Sequence, residues 1–336
     1  MMADPRSVAL FYDGFETQAL EVPFGSLKSE ARRHARAAWR RLRGLQVNTG
    51  YFTAFNNLRR SLEARGIEVR VNDFAWARAN PKEPIGISGF PRVFDRVHLP
   101  NPAVFGPGYV PPPDEIEKIM ARCNIKVVTL PSEWPCGLWR DKLGEVAQPM
   151  FVAIDLAAWP DTSQMEKPLD LIVYDKIRWR LEDRAADLRD PLLAALDARG
   201  LRYRVLRYGA HHLSQFRQAL RDARGLVFLC EHETQGLAYQ EAMASGLPIL
   251  AWDEGELVDP HQGRFAPPGL RVSSVPYFDA RCGLTFTRET MIDQLDAFMQ
   301  AIDGFSPRAY VAEALSPEAG AARYLTLLQQ ARAAAD

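Results

Sequence analysis

Two carboxylates eight positions apart flank a glycine in the run Glu233-Thr-Gln-Gly-Leu-Ala-Tyr-Gln-Glu241-Ala-Met-Ala-Ser-Gly246-Leu-Pro248. The run follows a strand-like apolar segment, Leu226 to Cys230, and its second part has helical spacing, from about Leu237 to Ala244. Gly236 at that junction lets the backbone approach a ligand, and the unpaired N–H groups that open a helix, with its dipole, suit a diphosphate. Glu241, about one turn into the helix, is placed to take both hydroxyls of a ribose. Glu233, at the strand end, is placed to accept hydroxyls of a bound sugar.

The string resembles the E-x7-E signature of retaining GT-B glycosyltransferases (glycosyltransferase group 1, family 4-like), whose usual form is E-G-F-G-L followed by E-A-M-A-x-G-x-P. It agrees at Gly236, Leu237, Glu241, Ala242, Met243, Ala244, Gly246 and Pro248. The resemblance implies that Glu241 binds the nucleotide ribose, that Glu233 contacts the donor sugar, and that the backbone around Gln235, Gly236 and Leu237 meets the phosphates. Taken singly, Glu241 reads as a helix acid and Met243 as core; the whole string carries the functional reading.

A departing diphosphate needs neutralising by a metal or by fixed cations. The chain contains no D-x-D triplet, so no metal is assigned and no cofactor is expected beyond the nucleotide-diphosphate sugar as co-substrate. In the resembling family an Arg and a Lys about five residues later follow the first strand of the second domain. Here that strand is followed by Asp175-Lys176-Ile177-Arg178-Trp179-Arg180, which offers Lys176 for the first role and Arg178 or Arg180 for the second, at a different spacing. An ordinary cationic loop is the competing reading. Glu231-His232-Glu233 with Asp253, Glu254 and Glu256 could suggest a metal site, but further placed ligands are needed, and sugar selection or plain solvation fits the acids better.

The first half supplies the acceptor side in such enzymes. Asn48-Thr49-Gly50-Tyr51 resembles their glycine-bearing loop, with Gly50 near the donor phosphates; a plain turn is the alternative. His98 is a candidate sugar contact or a structural histidine. Ser132, after the strand Ile125 to Leu130, resembles the serine that lines the acceptor side, and Asp155 the residue leading into the interdomain connection. Arginines surround a stripe of Ala35, Ala38, Trp39 and Leu42 within Lys28 to Leu45. That segment is either a packed helix with solvated arginines or a peripheral contact with anionic lipid or a lipid-linked acceptor.

The elements that must position these groups alternate along the chain. Ser7 to Tyr12, Ile67 to Val71, Ile125 to Leu130 and Met150 to Ile154 read as strands, with helices at Phe55 to Arg65 and Ile116 to Arg122. Pro81 to Pro113 is rich in proline and reads as a long ordered loop or several short edges. The second half repeats the alternation: strands at Leu169 to Tyr174, Tyr203 to Leu206, Leu226 to Cys230 and Pro248 to Trp252, and helices at Pro191 to Arg199 and His211 to Ala223. Helices are expected again at Glu289 to Ile302 and Pro317 to Ala334. Ser274 to Gly283 has no chemical reading.

The expectation is an α/β chain of GT-B type, two Rossmann-like doubly wound domains facing an interdomain cleft. The N-terminal acceptor-side domain would span residues 1–158, the linker 159–168 and the donor domain 169–312, with a helix in 313–336 packing back on the first domain.

Length and composition agree with this. The 336 residues, 47% of them hydrophobic, suffice for two cores. With 41 Lys+Arg against 42 Asp+Glu no global field favours nucleic acid. Cys123, Cys136, Cys230 and Cys282 are scattered and read as free thiols in a reducing compartment. No signal-peptide pattern opens the chain, and its apolar runs are far shorter than the roughly 20 residues of a spanning helix. The expected location is cytoplasmic, with residues 28–45 a candidate peripheral contact at the inner membrane face. The expected activity is metal-independent, hexosyltransferase-like transfer to a glycan or lipid-linked acceptor. A sugar-nucleotide epimerase or hydrolase, or a catalytically silent relative, are the alternatives.

Overall fold

The structure is a computed structural model that describes residues 4–21, 31–39 and 49–335. The chain divides into two compact units, one of Met1–Ala153 with Pro317–Asp336, the other of Ile154–Ser316. The first holds strands β1 (Ser7–Asp13), β2 (Glu68–Val71), β3 (Ile85–Gly89), β4 (Ala103–Gly108), β5 (Ile125–Leu130) and β6 (Ala147–Pro149), all parallel, in the order β2-β1-β3-β4-β5-β6. The second holds β7 (Leu169–Asp175), β8 (Tyr203–Arg207), β9 (Ala223–Leu229), β10 (Ile249–Trp252) and β11 (Gly283–Phe286), again all parallel, in the order β11-β10-β9-β7-β8.

Alternation along each strand sends side chains to both faces, and helices cover both. In the first unit Val8, Leu10 and Val104 pack with Phe55 and Leu62 of the helix Gly50–Ala64 and with Tyr324 and Leu328 of the helix Pro317–Ala333. On the other face Phe11 meets Phe74 at 4.8 Å and Phe105 meets Phe94 at 4.7 Å. In the second unit Leu171, Val173, Val227 and Leu250 pack with Leu192 and Leu196 and with Leu295 and Phe298. Tyr174 and Phe228 turn the other way, toward Phe216 and Tyr239. Each unit is therefore a doubly wound α/β layer structure, and each such buried leucine contributes roughly 2 kcal/mol.

Two expectations about the first sheet are corrected. Pro81 to Pro113 is not a loop or a set of edges: it contains β3 and β4, the two middle strands of the six-stranded sheet. Their glycines hide the apolar signal and are required by close packing. A Cβ on Gly86 would fall 2.2 Å from the Tyr324 hydroxyl, and one on Gly106 would overlap Thr129. Met150 to Ile154 forms no strand: Met150 N–H donates to Leu130 C=O at 2.7 Å and the ladder ends there. Asn57 takes the place of a ladder neighbour, its side chain accepting from Ala153 N–H and donating to Ala153 C=O, both at 2.9 Å.

Residues 31–39 are helical, and the rest of the arginine-rich segment lies outside the described residues. Among the described residues no helix is long and apolar enough to cross a membrane.

Candidate functional site

The carboxyl edge of the second sheet collects the chemistry. Asp175 at the end of β7 pairs in register with Leu229 at the end of β9, so the loops 176–180 and 230–236 leave the sheet side by side. Glu231 fixes the first loop to the second: its carboxylate accepts from Arg178 N–H at 3.1 Å and from Trp179 N–H at 3.0 Å. The acids beyond β10 are likewise used locally. Asp253 accepts from Ser273 Oγ at 2.7 Å and Ser274 N–H at 3.1 Å, and Glu254 from the Trp252 indole at 3.0 Å and Arg288 N–H at 2.9 Å. Among the described residues no group of acids, histidines or cysteines is arranged to hold a metal.

Lys176 makes an ion pair with Glu233, its ammonium lying 4.4 Å from the centre of the Tyr208 ring. Arg178 is committed to the neighbouring loop. Its guanidinium donates to the His232 carbonyl at 2.5 Å and stacks on Trp179 at 4.2 Å, and the Trp179 ring stacks in turn on His232. Burial, and secondarily Arg178, push the His232 imidazole down to about 4, so it is neutral near pH 7. Arg180, at φ 50°, is exposed, has no carboxylate partner among the described residues, and borders an open depression of about 980 Å³ formed with residues 255–271. Of the two arginines offered for the second cation, Arg180 is the uncommitted one.

Gly236 caps the helix Leu237–Ala244 in the left-handed region, φ 86°, and among the described residues no side chain caps that end. A Cβ there would fall 2.1 Å from the Tyr239 ring, so the glycine is required both by conformation and by space. Gln235 is tied to Gln240 twice, its side-chain amide donating to the Gln240 side-chain oxygen at 3.0 Å and its carbonyl accepting from the Gln240 amide at 2.9 Å. Leu237 is exposed on the first turn.

Glu241 is half-buried, and its carboxylate has no hydrogen-bond or ion-pair partner among the described residues. Burial raises its carboxyl to about 7, against the pull of Arg217. Tyr174 lies near both Glu241 and Glu233, and burial raises its hydroxyl together with their charges and that of Tyr208.

Some contributors were not anticipated. Fully buried Tyr239 accepts from Tyr277 N–H at 3.1 Å and donates to Tyr277 C=O at 3.3 Å, which gives the run Ser274 to Gly283 a role as a wall tied to the helix. The readable signal was its position three residues after Gly236, on the same helical face. At the other end of the helix Arg308 donates to the carbonyls of Ala244, Trp159 (2.7 Å) and Leu156 (3.3 Å). Gly246, φ 90°, admits Asp161, whose Oδ1 would lie 2.6 Å from an added Cβ.

The remaining candidates lie in the first unit. Gly50 is the exposed first residue of the helix Gly50–Ala64, and the amide just before it, Thr49 N–H, donates to Glu16 at 2.6 Å. Ser132, beyond the carboxyl end of β5, is fully buried. His98 is exposed on the approach to the opposite, amino edge, where the next residues Pro100 and Pro102 bond to Asn124 and Ile85 at the starts of β5 and β3. His98 thus lies toward the edge opposite to Gly50 and Ser132. Asp155 is exposed and closes a turn through Ala157 N–H at 2.9 Å.

No family model matches this chain, and no curated protein matches it. Solved structures do. S. aureus TarM, in a complex with UDP and alpha-GlcNAc-glycerol, is similar at 13% identity with a TM-score of 0.49, over 76% of this chain and 58% of that one. AviGT4, a glycosyltransferase involved in avilamycin A biosynthesis, is similar at 14% identity and a TM-score of 0.47, over 98% of each chain. The lipopolysaccharide outer core galactosyltransferase WaaB is similar at 8% identity and a TM-score of 0.49, over 97% of this chain and 98% of that one. The chain thus spans a little over half of TarM and nearly the whole of the other two.

Proposed function

We propose that the chain is a glycosyltransferase of GT-B type, which moves a sugar from a nucleotide-diphosphate sugar held on the carboxyl edge of its C-terminal sheet. The observation that carries this is the pairing, on one helix, of an uncapped left-handed start at Gly236 with an unpartnered half-buried carboxylate at Glu241. A diphosphate on the first-turn amides would present its ribose diol one turn along, where a carboxylate accepts two hydroxyls. Lys176 and Arg180 are the cations for the leaving diphosphate, and Glu233, once released from Lys176, accepts hydroxyls of the sugar. Retention of anomeric configuration and independence of metal are proposed with the E-x7-E string, as is a glycan or lipid-linked acceptor.

Thermal stabilisation by UDP, GDP, ADP and their sugars, in EDTA, tests the donor site. Ligand at a hundred times its Kd adds about 2.7 kcal/mol. One nucleotide should shift the wild type and fail to shift Glu241→Ala; no shift with any of them sinks the proposal. Contact of residues 28–45 with anionic membranes is a separate proposal, lost if vesicles fail to cosediment the protein at low salt.

A second reading, a silent relative that binds a nucleotide sugar without transferring it, is favoured by the mutual neutralisation of Lys176 and Glu233. Product analysis decides: sugar transferred to an acceptor rules it out, and free sugar released without any acceptor marks a hydrolase.

A further inference from the structure

The first unit has a cavity of about 620 Å³ at the amino edge of its sheet, where β1 and β3 begin, the edge opposite to strand ends such as Asp13 and Gly89. Its lining is mixed: Trp76 of the helix Phe74–Ala79 and Pro84 are apolar, Ser7, Asn80 and Gln329 are polar, and the core residues Val8 of β1 and Leu325 and Leu328 of the helix Pro317–Ala333 close it from behind. Its rim is charged and unevenly balanced. Arg332 is neutralised by an ion pair with Glu83, whereas Arg6, exposed at the mouth, has no carboxylate partner among the described residues. The rim is left with one net positive charge. The Trp76 indole N–H also has no partner among the described residues, and one side of its ring faces Arg70 at 5.8 Å.

A concave slot of this size that combines apolar surface with a few polar anchors is the usual form of a small-molecule site. A cationic guest would meet the field of Arg6, and a neutral one would leave that charge unused. A guest with an apolar body and one anionic end fills the slot and matches the rim. The geometry points to a site for a small amphipathic carboxylate, an aryl or alkyl chain ending in a carboxyl group. It is built from residues the donor site does not use, and it stands or falls separately from the proposed transferase activity.

Calorimetric titration of the full chain with 4-phenylbutyrate, and with the neutral 4-phenylbutanol as control, tests this. Saturable binding of the carboxylate, at least tenfold tighter than the alcohol, is expected. Arg6→Ala should remove most of that difference, and Leu328→Trp, which fills the slot, should remove binding of both. Arg6 is exposed and its substitution leaves the core intact, so it remains informative if Leu328→Trp fails to fold. Absence of carboxylate binding, equal affinity for acid and alcohol, an unchanged preference in Arg6→Ala, or undiminished binding in a folded Leu328→Trp would each overturn the assignment.

Discussion

The ammonium of Lys176 and the carboxylate of Glu233, side chains only 13% and 9% exposed, neutralise each other at the carboxyl edge of the second sheet. Two groups assigned to different parts of a donor are thus each other's partner in the free chain, and a ligand must offer both of them replacements.

Lys176→Met should therefore act twice. Glu233 left without its cation should cost about 2 kcal/mol, between the values for exposed and fully buried pairs, in urea unfolding. Nucleoside diphosphate affinity should fall at least tenfold while that of the nucleoside barely changes. Equal losses for both ligands would place Lys176 away from the phosphates.

Glu241 sets a pH dependence. Its carboxyl is raised by burial from an ordinary value near 4.5 to about 7, so between those values the folded chain keeps a proton that the unfolded chain has lost. This group's contribution therefore lowers stability as pH rises through that window, with the loss complete above about 7. Ribose hydroxyls donate to the ionised form, so nucleotide affinity should rise from pH 6 to pH 8. Glu241→Gln should flatten both trends, and a rise in affinity that persists in that variant would assign it to another group.

Tyr239→Phe removes one hydroxyl that serves both the N–H and the C=O of Tyr277. A loss of about 1–2 kcal/mol is expected, the size of a buried backbone group left unpaired. Amide hydrogen exchange at Tyr277 should speed up selectively; unaltered protection there would show the wall is held by other contacts.

Gly236→Ala and Gly246→Ala both force a side chain into the left-handed region, at a cost of about 1–2 kcal/mol. They should part in binding. The first drives a methyl into the Tyr239 ring beside the proposed phosphate amides and should abolish nucleotide binding. The second meets the end of Asp161, and nucleotide affinity should survive it.

How far these features could be read beforehand differed by element. The helix Leu237–Ala244 and the strand β5 have the bounds expected of them, because both are apolar and end at clear breakers. Strands β3 and β4 were obscured because the residues that let them sit mid-sheet, Gly86 and Gly106, are the ones that erase a strand's apolar pattern. Strand β11 was lost similarly, since Gly283 at its start is demanded by the backbone of Ile249, 1.9 Å from where a Cβ would be. At the candidate site the motif named the helix and its carboxylates. It could not distinguish Arg178 from Arg180, because that depends on whether a guanidinium finds a carbonyl acceptor, here His232, contributed by a neighbouring loop.

The helix Leu237–Ala244 is moored at both ends: Tyr239 binds its start to Tyr277, and Arg308 binds its last carbonyl, Ala244, to the connecting chain at Leu156 and Trp159. Such a helix resists sliding and tilting, and on the proposed function it would do so when a nucleotide binds. Ligand binding energy can then be expressed only by rearranging side chains around a stationary post, with little of it dissipated in moving the backbone. A nucleotide's arrival should be conveyed to the first strand of this unit through the Lys176–Glu233 pair and its loop, while the helix serves as the fixed frame against which that change is registered.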